Sequence, residues 1–257
     1  MDERVSAIAR TFATTRQTIM RVRDVLPEYL TLLELQLDIE NTGQIVILNG
    51  PPRSGKSSIV KVIQETFDNP WLNLGVDIYV REMTPSRYRP GIGVRPGGER
   101  PDLEPLIPVF YAALYESIAA HSRLGLNVVV DVGHHNAYAK PSNILVDCAR
   151  RLSALPVLFV GVHCSIDVIM ERRRQGQVGR ENLYLTGSDN DPVPAPVLAW
   201  QREVHSPGIY DLEVDTSSTT PHECAAIIRG RLANVQEGPT AFQKLAEAAA
   251  VDNQRNS

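Results

Sequence analysis

Apolar residues in this chain gather in short unbroken runs, separated by longer stretches in which they recur at helical spacing. Ile45 to Leu48, Leu126 to Asp131 and Leu155 to Val162 are such runs, rich in β-branched side chains. A strand covered on both faces reads this way, and such strands belong to parallel sheets. Trp71 to Asp77 and Tyr210 to Thr216 read as two further, shorter strands. Between them, Ile59, Val60, Val62 and Ile63 predict a helix, as do Tyr111, Leu114 and Ile118 within 109–121. Another helix follows Cys164, and residues 221–232 form the last one of the core. Alternating strands and helices predict a parallel sheet with right-handed crossovers.

The flanks read differently. Val5, Ile8, Phe12, Ile19 and Val22 suggest one amphipathic helix, and Leu26, Leu30, Leu33 and Leu37 a second. Leu33 to Ile39 also alternates, and Asn41-Thr42-Gly43 resembles a turn, so a hairpin into Ile45 is the rival reading. A central parallel strand has no free side for a hairpin partner, which favours helix. Past Asn234 comes an Ala-rich helical piece and a polar tail read as disordered. The expected division is an N-terminal helical extension over 1–42, an α/β domain over 43–234 and a helical or disordered tail over 235–257.

One stretch changes this from an architecture into a chemistry. Gly50-Pro51-Pro52-Arg53-Ser54-Gly55-Lys56-Ser57 matches the Walker A pattern in full, between a predicted strand and a predicted helix. A loop of this kind turns its backbone N–H groups inward around phosphate oxygens. The helix start beyond it, through Ser58, adds free N–H groups and the positive end of a dipole. Lys56 is placed to reach the outer phosphates and the Ser57 hydroxyl to ligate Mg²⁺. Asp131 closes its apolar run as a Walker B acid does, which holds Mg²⁺ directly or through water.

Asp77 ends the second predicted strand, where open α/β sheets gather their ligands. It reads equally as an acid facing a phosphate acceptor or as a helix cap or turn acid. His134 and His135 follow Asp131 but lack a further ligand pair at metal spacing, so they read as loop residues near a substrate. Residues 81–108 are rich in Arg, Pro and Gly and read as a substrate flap, with a small hairpin around Ile92–Val94. Glu171-Arg172-Arg173-Arg174 and Arg180 follow the fourth strand. At least one of these arginines belongs to a solvated helix face. Residues 184–196, with Gly187 and several prolines, read as loop.

The net charge of −4 gives no reason to expect nucleic acid or an anionic membrane as partner. No run of about 18 apolar residues, the length a membrane helix needs, occurs. The 3 cysteines are far apart and form no metal or disulfide pattern, which points to the cytoplasm.

Ile-Leu-Asn-Gly at 47–50 with its loop, Leu-Gly-Val-Asp at 74–77, Val-Val-Val-Asp at 128–131, Val-Gly-Val-His-Cys at 160–164 and Val-His-x-x-x-x-Tyr-Asp-x-Glu-Val-Asp-Thr at 204–216 occur in this order. Together they resemble the chloramphenicol phosphotransferase-like family across about residues 44–233. The resemblance implies a P-loop, adenylate-kinase-like five-stranded parallel sheet of order 2-3-1-4-5, flanked by helices. It also implies transfer of the γ-phosphate of ATP to a small-molecule alcohol, chloramphenicol in the namesake enzymes. It places the catalytic base at Asp77, the phosphate cradle at Gly50–Ser57 and lid arginines near Arg172 and Arg180. It does not cover 1–42, where the helices are either a packed cap or a homo-oligomer contact. The flap is more basic than a neutral antibiotic requires. A kinase of an anionic metabolite or sugar nucleotide is therefore the alternative, and a nucleotide-dependent switch the more distant one.

Overall fold

The computed structural model describes residues 42–89, 100–138, 140, 142–176, 184–234 and 238–255, with side chains as far as 248. By its internal contacts the chain divides into residues 1–42 and 43–257. The expected N-terminal helices and their hairpin rival, the hairpin at 92–94 and Arg180 lie outside the described residues.

Five strands form one parallel sheet: β1 (Ile45–Asn49), β2 (Trp71–Asn73), β3 (Asn127–Val132), β4 (Val157–His163) and β5 (Leu212–Asp215). Their order is β2-β3-β1-β4-β5. β1 pairs with β3 on one side and β4 on the other, and all of its residues are buried. Its alternate side chains serve two separate cores, as strand geometry requires. Ile45 and Ile47 join Val128, Val130 and Phe159 on one face; Val46 and Leu48 join Val129, Val160 and Val214 on the other.

The helices are α1 (Lys56–Thr66), α2 (Val76–Ile78), α3 (Ile107–Arg123), α4 (Ile144–Leu152), α5 (Ile166–Arg174), α6 (Ala195–Glu203), α7 (Pro221–Ala233) and α8 (Ala241–Arg255). α1 and α7 cover the Val46 face through Ile59, Ile63, Cys224 and Ile228. α3, α4 and α8 cover the Ile45 face. Thr220 and Glu223 form a reciprocal capping box that starts α7.

Three readings from sequence need correction. The second strand stops at Asn73 rather than at Asp77, because the Asn73 side chain takes the Gly75 N–H at 2.9 Å and turns the chain out of the ladder. The prolines near 194 do not extend a loop through 196: α6 begins at Ala195, with proline in its first turn. The helix set apart as a tail packs into the core. Ala241, Phe242 and Leu245 are buried, and Asp211 takes the Ala241 N–H at 2.7 Å while its other oxygen takes the Phe159 N–H of β4 at 2.8 Å. Phe242, fully enclosed between Phe159 and Tyr115, is the test. Phe242→Ala is expected to cost about 3–5 kcal/mol in a urea melt. A loss under about 1 kcal/mol shows that the helix does not pack there in solution.

Candidate phosphoryl-transfer site

The carboxyl ends of β1, β2 and β3 open into a cavity of about 770 Å³. The loop from Gly50 to Ser57 forms part of its lining. Two residues in left-handed backbone, Arg53 (φ 74°) and Gly55 (φ 90°), curl that loop. Gly55 is the N-cap of α1, so the first N–H groups of the helix open toward the loop. Pro51 and Ser54 are buried, whereas Pro52, Arg53, Gly55, Lys56, Ser57 and Ser58 line the cavity with Gly50.

Lys56 folds over the loop, its Nζ donating to the carbonyls of Gly50 at 2.7 Å and Pro51 at 2.9 Å. Part of its side chain faces the cavity, but the amine lies deep. Desolvation pulls its pKa down to about 8, against the opposing influence of the Asp131 and Asp77 carboxylates. Both acids therefore lie within electrostatic reach of the loop lysine. The Ser57 hydroxyl donates to Asp131 Oδ2 at 2.7 Å. A hydroxyl and a carboxylate beside a phosphate loop are hard oxygen donors of the kind that suit Mg²⁺. Among the described residues no His/Cys/Asp/Glu group forms an all-protein metal cage.

Asp77 occupies the first turn of α2 and lines the same cavity. The N-cap there is Gly75, with no side-chain cap, so the helix-cap reading of Asp77 falls away. His135 lines the cavity, between Tyr138 (ring centroids 4.3 Å) and Trp200 (4.6 Å). His134 turns into the core instead. It meets the Tyr115 hydroxyl at 2.7 Å, and burial pulls its pKa down to about 3, so it is uncharged. Asn136 shapes the next turn by accepting the Ser142 and Asn143 N–H groups.

The arginine run divides three ways. Arg174 is exposed, as a solvated face requires. Arg173 is buried and lies 5.5 Å from the centre of the Tyr184 ring. Arg172 lines the cavity, and its guanidinium donates to the Thr216 carbonyl at 2.7 Å, to the Thr216 hydroxyl at 3.2 Å and to the Arg53 carbonyl at 3.3 Å. Arg53 returns a hydrogen bond to the Arg172 carbonyl. Of the flap arginines, Arg81 and Arg89 line the cavity, Arg87 lies against Tyr88, and Arg100 pairs with Asp102 at the surface.

Sequence reasoning missed two features. One is an apolar and aromatic lining of the same cavity, made of Tyr79, Phe110, Tyr111, Tyr138 and Trp200, with the Trp200 ring and the Gly50 carbonyl both close against Gly133. The other is Asn49, fully buried, whose Nδ2 donates to Val204 O at 2.8 Å and Tyr210 OH at 2.9 Å while its Oδ1 takes the His134 N–H at 2.8 Å. It ties the entry of the phosphate loop to the turn after β3. The only signal for it was a polar residue closing an apolar run.

With 27% identity over 196 residues, the chain is similar to a Mycobacterium tuberculosis protein provisionally named an O-phosphotransferase; the match covers 71% of this chain and 79% of that one. Among solved structures, a sugar kinase from a Janibacter species aligns with a TM-score of 0.50 at 15% identity, over 74% of this chain and 95% of that one, a likeness of fold alone. The model of the chloramphenicol phosphotransferase-like proteins matches residues 43–233, the whole of the sheet and the cavity just described, and the chain belongs to that family.

Proposed function

We propose that this protein transfers the γ-phosphoryl group of ATP to an alcohol of a small molecule whose body is apolar or aromatic. The observation that carries this reading is the sharing of one cavity by Lys56, Ser57, Asp131 and Asp77 with the aromatic side chains of Tyr79, Phe110, Tyr111, Tyr138 and Trp200. The loop N–H groups hold the β- and γ-phosphates, and Lys56 exchanges its backbone carbonyl partners for phosphate oxygens. Ser57 and Asp131 would hold Mg²⁺, which would supply neutralisation of phosphate charge. Asp77 takes the proton of the acceptor hydroxyl as its oxygen bonds to the γ-phosphorus, and the bond from that phosphorus to the bridging oxygen breaks to release ADP.

Arg172 serves this reading differently from a mobile lid residue. Its contacts brace the phosphate loop against Thr216, while Arg180, the other proposed lid arginine, lies outside the described residues. The aromatic wall excludes water, which limits wasteful hydrolysis of ATP.

A second reading is favoured by Arg81 and Arg89, which put positive charge at the cavity edge and suit an anionic acceptor such as a sugar nucleotide. γ-Labelled ATP offered with amphenicol alcohols, sugar nucleotides and small anionic alcohols separates the two. Label is expected on an aromatic or apolar alcohol. Label on anionic alcohols alone overturns the proposed acceptor class. Nucleotide binding with no labelled product from any class overturns phosphotransfer and leaves a nucleotide-dependent switch.

A further inference from the structure

Gly75 is buried between β2 and α2, with φ −58° and ψ 152°. Any residue adopts that backbone, so conformational freedom does not explain a glycine there. Space does. A Cβ at Gly75 would lie 1.8 Å from Asp131 Oδ1 and 3.1 Å from Asn73 Oδ1. The Asp131 carboxylate is thus held from two sides. Its Oδ2 takes the Ser57 hydroxyl at 2.7 Å, and its Oδ1 lies in the gap left by the missing side chain. The same glycine begins the turn that carries Asp77.

We propose that Gly75 is a positioning residue: it admits the Asp131 carboxylate into one fixed orientation beside Ser57, and so sets the metal cradle at a defined place relative to Asp77. The proposal rests on the phosphotransfer reading above. A methyl group at position 75 leaves the backbone unstrained but drives the carboxylate away. Because the displaced atom is the end of a side chain, the fold tolerates the change while the oxygen pair at Ser57 and Asp131 does not. Partners that orient metal ligands in this way are typically worth about 10–100-fold in metal affinity.

The test is Mn²⁺ binding to the protein–ATP complex without acceptor, followed by electron paramagnetic resonance of the free ion. Gly75→Ala is expected to melt close to wild type, to keep its affinity for metal-free ATP, and to bind Mn²⁺ about tenfold more weakly or worse. In an Asp131→Ala background the clash is gone, and adding Gly75→Ala is expected to change Mn²⁺ affinity by less than about twofold. Unchanged Mn²⁺ binding in Gly75→Ala overturns the proposal, as does an equal loss in both backgrounds. Should Gly75→Ala fail to fold, the double variant decides. Recovery of folding in the Asp131→Ala background supports the carboxylate clash, and persistent unfolding overturns it. A wild-type protein that binds no Mn²⁺–ATP overturns phosphotransfer itself, whereas wild-type binding with an unaffected Gly75→Ala overturns this inference alone.

Discussion

Replacing Asp77 by Asn is expected to lower kcat for phosphoryl transfer by about 10²–10⁴-fold, the usual contribution of a positioned general base. ATP affinity is expected to stay within about threefold of wild type, because phosphate recognition belongs to the loop and its lysine. The asymmetry follows from where the two cavity carboxylates stand. Asp131 is committed to the Ser57 hydroxyl and to the gap at Gly75. Asp77 stands in the first turn of α2 and lines the cavity, with Tyr79 two residues on and Tyr111 within electrostatic reach of its charge. On the proposed function, a carboxylate that would engage a metal makes a poor base, which leaves Asp77 as the carboxylate to take a hydroxyl proton. The measurement is steady-state transfer to whichever acceptor the labelled-ATP panel identifies, with ATP binding followed separately by calorimetry. Transfer by Asp77→Asn within about tenfold of wild type removes Asp77 from the chemistry, leaving it at most an orienting contact. Loss of ATP binding and transfer together points instead to disruption of the turn that carries it.

The sheet was legible because its inner strands are covered on both faces, so β1, β3 and β4 read as apolar runs with no alternation to interpret. The phosphate loop was legible because each of its fixed positions has a physical duty within a single stretch of chain. The position of Asp77 after a strand pointed to the cavity it lines, although the strand ends earlier, at a side chain that competes with the ladder. The aromatic wall was not legible. It is assembled from Tyr79, Phe110, Tyr111, Tyr138 and Trp200, which share no periodicity and meet only when the strand ends converge. Trp200 was further hidden because the prolines before it read as loop when they mark a helix start. α8 carried a usable signal, since Thr240 and Gln243 bond reciprocally at its start, but Ala-rich composition drew attention away from the buried Phe242. For α6 and α8 a local signal was present, and the tertiary partners lay far away in sequence, His135 for Trp200 and Phe159 for Phe242.

Lys56→Met is expected to weaken ATP binding by about 10–150-fold, the worth of one charge-assisted hydrogen bond to a phosphate. Transfer is expected to fall by a further 10²–10³-fold or so, since the charge on the transferring group is then unmatched. The lysine also leaves a signature in pH. Burial holds its pKa near 8 in the folded protein, below its ordinary value of 10.5. Below pH 8 the amine is charged in both folded and unfolded chains, and its desolvation opposes folding. As pH rises from about 8 to 10.5 the folded form has shed a proton that the unfolded form still holds, so this group's contribution to stability improves across that window. ATP affinity moves the other way, because phosphates need the protonated amine, and binding near pH 8 draws a proton from solution. Calorimetry in two buffers of different ionisation enthalpy measures that uptake, and urea melts without nucleotide measure the stability trend. Lys56→Met is expected to remove both, by abolishing the titrating group while keeping an apolar stem. Wild-type ATP affinity that stays level from pH 7 to 9.5 and matches the pH dependence of Lys56→Met shows that the phosphates are gripped by backbone N–H groups alone.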